Sequence, residues 1–162
     1  MKIEVVRSPR RRKTITAERQ NGRVVVRLPA GLSWSEERDW VDRMVSRLEQ
    51  RERTERLNAR RNLERAAHRL NTEFFGDRLR WRSIRYVHNQ RDRYGSCTPE
   101  DATIRISHRV AEYPVWVREY VLMHELAHLV EPAHSPRFWR LVGQHPFAER
   151  ARGFLIAKGW DE

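Results

Sequence analysis

The sequence has little of what would cross-link the chain or hold it in a membrane. Its 162 residues include one cysteine, Cys97, which cannot form a disulfide within the chain and has no neighbouring cysteine for a thiolate cluster. No run of about 18 apolar residues is free of charge, and the basic start of the chain lacks the apolar core of a signal peptide. We therefore expect a cytoplasmic protein without a membrane segment, in which Cys97 is a small packing residue of a loop.

Glycine and proline are also sparse, with seven residues each, and their positions divide the amino-terminal half. Asn21-Gly22 is a strong tight-turn signal between two β-rich segments. From Ser33, which fits a capping box with Glu36, the chain runs to about residue 75 without a proline or glycine. The expected elements are strands at residues 3–6, 14–18 and 24–28, then one long helix or two joined helices.

The carboxyl-terminal half predicts a second sheet and a helical core. Strands are expected at residues 81–88 and 103–107, separated by a loop with the sequence RDRYGSCTPEDA, and helices at residues 114–130, 135–142 and 146–158. The fold class is therefore α+β. A hydrophobic content of 39% suits a single domain over residues 1–162, with a basic strand region (1–32) forming a β-hairpin sheet, a long charged helical region (33–75) and a core (76–162).

The most informative motif is H-E-x-x-H at residues 124–128. In a helix, His124 and His128 lie one turn apart on one face and can reach one tetrahedral cation. Glu125 can then take a proton from a water held in an open coordination position. Because the surrounding helix is apolar around much of its circumference, these side chains would be desolvated unless a divalent cation or hydrogen bonds satisfied them. The pattern favours a zinc site over hydrogen-bonded core histidines.

A catalytic zinc ion takes three protein ligands and keeps one position open, so a third ligand is needed. His134 follows the motif after five residues, and Pro132 ends the helix between them, which lets the chain turn back. Glu131 is the rival ligand, but it is so close to the motif that the helix end would have to fold back sharply. His134 is therefore favoured, although the Ser135-Pro136 pair after it also marks it as the residue before a new helix.

Three stretches carry a family resemblance. They are VLMHELAHLVEPAHSPRFWRLV around the motif, RYGSC at residues 93–97, and RSPRRRKTITAERQNGRVVVRLPAGLS near the amino terminus. Together they resemble the YgjP-like metallopeptidases, relatives of the SprT-like proteases, whose R-W-G-S-C segment here has Tyr94 in place of tryptophan. The resemblance implies a zincin-like helical core in which His124, His128 and His134 bind one zinc ion and Glu125 is the general base.

The resemblance also suggests where substrate would bind. In zinc peptidases of this general design, an edge strand beside the metal pairs with an extended substrate backbone. The RYGSC segment is expected in that position, so Arg93, Tyr94, Gly95 and Ser96 are candidate substrate-binding residues, with Arg93 or Tyr94 able to assist an oxyanion.

The net charge of +11 is concentrated near the amino terminus. Residues 1–32 carry nine Lys or Arg against two Glu, whereas residues 114–162 carry six against six. Arg10, Arg11, Arg12 and Lys13 fall in an expected loop and form a candidate phosphate-contacting patch. Because 30 of the 33 basic residues are arginine throughout the chain, a solvated loop is the competing interpretation. Weak, non-specific nucleic-acid binding is therefore a hypothesis for this region.

These observations predict a zinc-dependent hydrolase with a peptide or protein substrate. Zinc would polarise the scissile carbonyl and hold the oxyanion, while Glu125 deprotonates the zinc-bound water. We expect a monomer. One alternative is a metal-dependent nucleotide pyrophosphohydrolase, a label that some YgjP-like proteins carry, although the sequence has no phosphate-cradling glycine loop. Another is a nucleic-acid-binding protein with a structural zinc, but such a site closes all four positions with protein ligands and needs no base.

Overall fold

The computed structural model describes residues 2–90 and 92–160 and confirms the α+β class. The strands are β1 (Lys2–Ser8), β2 (Thr16–Gln20), β3 (Arg23–Pro29), β4 (Ser83–Val87), β5 (Gly95–Thr98) and β6 (Thr103–Ser107). The helices are α1 (Trp34–Ala59), α2 (Asn62–Phe75), α3 (Val115–Ala127), α4 (Pro136–Val142) and α5 (Ala148–Ala157), with a 3₁₀ turn at His108–Glu112. None of the helices in the described residues is long and apolar enough to cross a membrane.

Contacts divide the chain into two compact units, one ending at Arg53 and the other beginning at Thr54. The division falls within α1 rather than at residue 32 or 75, where the sequence suggested changes of region. That the whole chain acts as a single domain stays a prediction.

β3 is the central strand of the first unit's sheet, whose order is β1-β3-β2. It runs parallel to β1 and antiparallel to β2. Asn21 and Gly22 connect β2 to β3 with φ angles of 48° and 76°, the two successive positive values of a type I′ turn. Three apolar side chains of β3 are buried against one face of α1. Val24, Val26 and Leu28 pack there with Val45 of the helix.

Two helices fill the region for which the sequence allowed one or two. α1 begins with the expected capping box, in which the Glu36 carboxylate accepts from the Ser33 backbone N–H at 2.9 Å and the Ser33 hydroxyl accepts from the Glu36 N–H at 3.4 Å. The break before α2 lies at Arg61, whose φ of 51° is left-handed. No proline or glycine marks this break, so the sequence could not place it.

The second unit's sheet has the order β4-β6-β5, and it corrects one prediction. The segment expected to be a loop contains β5, which pairs antiparallel with β6 from Gly95 opposite Ile106 to Thr98 opposite Thr103. β5 has only four residues, Gly-Ser-Cys-Thr, and no residue pattern that alternates between apolar and polar. Hydrophobic periodicity therefore could not predict this strand. At the opposite edge, the Asn58 side chain bonds both backbone groups of Tyr86 in β4, at 3.0 and 2.8 Å.

α3 is the most deeply buried helix of this unit and packs against α2, α4, α5 and β5. It ends at Ala127, three residues before the predicted end. Leu129 and Val130 then make tighter bonds to carbonyls three residues back, at 3.1 Å each. Glu131 still bonds the Ala127 carbonyl at 2.9 Å, and Pro132, which has no N–H to donate, ends the turn there.

Candidate metal centre

The three predicted histidine ligands converge at the end of α3. His124 lies in the helix, His128 caps it, and His134 lies in the turn that leads to α4. The Nε2 atom of His134 is 3.2 Å from that of His124 and 3.1 Å from that of His128. Ligand nitrogens around a tetrahedral zinc ion are about 3.3 Å apart when each metal–nitrogen bond is about 2.0–2.1 Å. The spacing of the three nitrogens therefore fits one zinc ion.

The donor chemistry fits a cation as well. A neutral Nε2 carries either one proton or one lone pair, so the Nε2 of His134 cannot make good hydrogen bonds to two other Nε2 atoms at once. Three lone pairs directed at a single cation would satisfy the three Nε2 atoms, whereas Nδ1 of His124 is buried without a hydrogen-bond partner among the described residues. Burial, followed by the charges of His128 and His134, lowers the pKa of His124 to about 3. Burial also lowers the pKa of His128, so both rings favour the neutral form that binds metals.

Aromatic packing, chiefly from Phe138, and one hydrogen bond to the backbone orient the three histidine rings. Phe138 of α4 is fully buried, and its ring centroid lies 4.8, 4.5 and 4.8 Å from those of His124, His128 and His134. The Nδ1 atom of His128 lies 3.2 Å from the Glu131 carbonyl, to which it can donate a hydrogen bond. Such a bond fixes the tautomer that leaves Nε2 free for a metal.

The turn that carries His134 is held by the start of the next helix. The Ser135 hydroxyl accepts from the Phe138 N–H at 3.2 Å, and Pro136 occupies the first helical position, as the sequence predicted. The predicted ligand His134 and the helix cap Ser135 are therefore adjacent residues. The Glu131 carboxylate, the rival ligand, lies outside the histidine cluster, with one oxygen 3.9 Å from Arg137.

Glu125 is buried beside this cluster, with 6% of its surface exposed. Burial raises the pKa of its carboxyl to about 8, and the positive charge of Arg93 opposes that shift. The backbone of Gly95 lies directly against the side chain. A Cβ atom on Gly95 would be 2.4 Å from Oε1 and 2.7 Å from Cγ of Glu125, so only glycine fits here without movement.

A cleft of about 520 Å³ opens over Glu125 and the three histidines. The predicted substrate-binding residues Arg93, Tyr94, Gly95 and Ser96 all line it. The Tyr94 hydroxyl is directed away to the Lys158 carbonyl, to which it donates at 2.9 Å, so its proton is already used. Of the two residues suggested for oxyanion assistance, Tyr94 therefore has no free proton for that role, and Arg93 stays the candidate.

Two neighbours of the site could not be inferred from spacing. Trp160 lines the cleft with its ring centroid 6.0 Å from that of His124, although it is 36 residues away in sequence. Cys97 also lines the cleft, from β5 rather than from a loop, so the loop assignment was wrong. Burial, with smaller effects from Glu125 and Glu100, raises the pKa of its thiol to about 12. That shift makes Cys97 a poor nucleophile and a packing residue.

The predicted phosphate-contacting residues belong to the other unit. Arg10, Arg11, Arg12 and Lys13 lie between β1 and β2, and all but the half-buried Arg11 are exposed. The Arg11 guanidinium bonds the Thr14 carbonyl at 3.4 Å and the Thr16 hydroxyl at 3.3 Å.

The fold of this chain is that of a metallopeptidase. It is similar to the crystal structure of the metallopeptidase zymogen abylysin from Pyrococcus abyssi, with a TM-score of 0.52 and 22% sequence identity. The alignment covers 59% of this chain and 93% of the abylysin chain. At the level of sequence, the profile of the YgjP-like metallopeptidase domain matches residues 53–152, so the chain belongs to the YgjP-like family. No curated protein shows significant sequence similarity to the chain.

Proposed function

We propose that this protein is a zinc-dependent peptidase in which His124, His128 and His134 bind one zinc ion and Glu125 is the general base. The observation that carries the proposal is the convergence of three Nε2 atoms, 3.1–3.2 Å apart for the measured pairs, beside a buried carboxylate in an open cleft. A structural zinc site would supply a fourth protein ligand and would have no use for that carboxylate.

The chemistry of the site divides between the ion and the chain. A bound zinc ion supplies a Lewis acid that polarises a carbonyl and lowers the pKa of water to about 7. Glu125 takes the proton of the attacking water on its carboxylate and passes it to the leaving amine. A base is most effective when its pKa is near the working pH, and burial of Glu125 raises its proton affinity in that direction. Gly95 lets the carboxylate sit where β5 and the cleft meet.

The position of β5 supports an extended peptide as the substrate. β5 pairs with β6 on one side only, so the backbone groups of its outer edge have no strand partner among the described residues. An extended chain can add to such an edge through backbone hydrogen bonds. Arg93 lies two residues before β5, Ser96 is the second residue of the strand, and both line the cleft, where they would contact the substrate.

The charge of the cleft favours a peptide over a nucleoside triphosphate. Among the described lining residues, Arg93 is the single basic side chain apart from the histidines, against the carboxyls of Asp92, Glu100 and Glu125. A polyphosphate would meet repulsion from Asp92 and Glu100, and apart from a bound zinc ion only Arg93 would supply compensating positive charge.

Metal analysis tests the ligand set. Purified wild-type protein should contain one zinc ion per chain, His134→Ala should lose most of its zinc affinity, and Glu131→Ala should retain it. Retention of full affinity in His134→Ala together with its loss in Glu131→Ala would show that the ligand assignment is wrong.

The base is tested by Glu125→Gln, which keeps the shape of the side chain and removes its proton affinity. We expect cleavage of fluorescein-labelled casein to fall by about 10²- to 10⁴-fold while zinc content and far-UV circular dichroism stay unchanged. Glu149→Gln, an exposed position in α5, is the matched control and should keep full activity. Unchanged activity in Glu125→Gln would remove this residue from the mechanism. Hydrolysis of UTP but not of casein by the wild type would replace the peptidase proposal with the nucleotide one.

A further inference from the structure

In the described part of the first unit, ion pairs neutralise some of the basic side chains and leave others without an acidic partner. Residues 1–53 carry 14 basic residues against 8 acidic ones. Four of the carboxylates are used by arginines of the sheet, in the pairs Arg7–Glu37, Arg19–Glu52, Arg23–Glu4 and Arg27–Glu18. Arg10, Arg12 and Lys13 are exposed and have no side-chain partner among the described residues. Four of the ten basic residues outside these pairs therefore lie together in the loop between β1 and β2.

This loop and the start of α1 lie at the same end of the sheet. Ser8, the last residue of β1, is in register with Pro29 at the end of β3, and Thr16 at the start of β2 is opposite Arg27. The Ser8 carbonyl accepts from the N–H groups of both Arg11, at 3.3 Å, and Ala30, at 3.2 Å. The loop and the segment that leads into α1 therefore both donate a hydrogen bond to the Ser8 carbonyl oxygen.

The same end presents an exposed aromatic side chain. Trp34, the first residue of α1, is 75% exposed, and the guanidinium carbon of Arg38 lies 5.7 Å from its ring centroid. The two acidic side chains of this first turn are engaged, Glu36 with Ser33 and Glu37 with Arg7. An indole that is largely open to solvent, next to an arginine that has no acidic partner among the described residues, is unusual on a surface with no partner.

We infer that this end of the first unit, formed by residues 10–13 with Trp34 and Arg38, binds single-stranded nucleic acid. The loop side chains would contact phosphates, and Trp34 would stack on an unpaired base, which is the combination that sequence-independent single-strand binding uses. A duplex offers the phosphates but no free base face for the indole. The shared ligand chemistry is a phosphodiester backbone with unpaired bases, from DNA or from RNA.

An anionic membrane is the less suitable partner. A helix that lies on a membrane needs a continuous apolar face, and the apolar stripe of α1 is already packed on the sheet through Val41, Val45 and Leu48. The exposed indoles of α1, Trp34 and the less exposed Trp40, each lie beside an arginine and give little apolar area for insertion into lipid.

The test uses the full-length, zinc-loaded protein and fluorescence anisotropy of labelled oligo(dT), oligo(U) and a mixed-sequence duplex, each over a range of salt. The wild type should bind the single strands more tightly than the duplex. Trp34→Ala should lower single-strand affinity by about 5- to 100-fold and change duplex affinity little, and Trp34→Phe should recover most of the loss. Comparing oligo(dT) with oligo(U) identifies which nucleic acid is preferred.

The loop is tested by the triple variant Arg10→Gln, Arg12→Gln, Lys13→Gln, which leaves the hydrogen-bonded Arg11 in place. It should reduce the slope of log affinity against log salt by about 2, since each phosphate contact on a single strand contributes about 0.7. The matched control removes three exposed arginines of the second unit, Arg82, Arg85 and Arg140, and should keep the wild-type slope.

Four results would overturn the proposal. They are no binding of either single strand by the wild type, equal losses in the loop variant and its control, full single-strand affinity in Trp34→Ala, and binding of phosphatidylserine vesicles without binding of oligonucleotides. Circular dichroism of each variant establishes that a loss reflects the surface and not the fold.

Discussion

Replacing Gly95 with alanine should remove most activity without removing the metal or the fold. The added Cβ atom would lie 2.4 Å from Oε1, 2.7 Å from Cγ and 2.8 Å from Cδ of Glu125. Ordinary contacts between carbon atoms are about 3.5–4.0 Å, so the Glu125 side chain or β5 has to move by about 1 Å. Because Glu125 is 6% exposed, neighbouring atoms limit any rotation that would avoid the clash.

A displacement of about 1 Å at a catalytic group can cost about 100-fold in rate, which corresponds to about 2.7 kcal/mol. Stability should change less. Glycine within a strand makes the folded state about 0.5–1 kcal/mol less stable than alanine does. The stability gained by the substitution therefore offsets part of the strain that the new contact introduces. We therefore expect a specific loss of turnover, with a thermal midpoint close to that of the wild type.

The assay compares initial rates on fluorescein-labelled casein with zinc content and with the visible absorption of the cobalt-substituted protein, which reports the metal geometry without catalysis. Gly153→Ala in α5 is the control, because a Cβ there meets nothing within 4 Å. It should keep full activity. In a double-mutant cycle, the shorter side chain of Glu125→Asp should make the cost of Gly95→Ala smaller than in the wild type. Full activity in Gly95→Ala, or strictly additive costs in the cycle, would refute the steric argument.

Three further predictions follow from side chains around the site and the core. Phe138→Leu should weaken zinc affinity by about 10-fold, measured by chelator competition, and lower the free energy of unfolding by about 1–2 kcal/mol, measured by urea denaturation. Unchanged zinc affinity would mean that the ring does not orient the histidines. Cys97 should react with iodoacetamide at neutral pH roughly 100-fold more slowly than a free thiol, and at the ordinary rate in urea, because burial raises its pKa to about 12. Burial lowers the pKa of His145 below 6.5 in the folded state, so the unfolded state binds more protons as pH falls through that value and stability should decrease there. His145→Gln should show a weaker decrease in urea unfolding between about pH 7 and pH 5, and an identical pH dependence would exclude this histidine as a contributor.

Features set by short-range spacing could be predicted from the sequence. The i, i+4 histidines, the Asn21-Gly22 turn and the Ser33 capping box each depend on residues within one turn of chain, and the structure contains the turn and the box as expected. Family resemblance and spacing also pointed to His134, which the structure brings to the other two histidines. Its role as a metal ligand remains a prediction.

Features that depend on partners distant in sequence could not be predicted. β5 is a strand because β6 pairs with it, and its own four residues show no strand pattern. Gly95 looks like an ordinary loop glycine until Glu125, 30 residues later, is placed against it. The contact of Phe138 with all three histidine rings likewise depends on the angle between α3 and α4, which hydrophobic periodicity does not specify.

If His134 is a metal ligand, its position between α3 and α4 would couple metal occupancy to the order of the chain. His124 lies in α3 and His128 caps it, whereas His134 directly precedes the cap of α4, so an ion bound by all three would link the ends of two helices. Binding to the folded state alone stabilises it by RT ln(1 + [M]/Kd), about 4 kcal/mol when free metal is about 1,000 times Kd. Without the ion, the turn that carries His134 and the helix α4 would open more readily than α3 does. Amide hydrogen exchange should then show faster exchange at Phe138 and the following residues after chelation, and the protein would sense free zinc through the local order of this short helix.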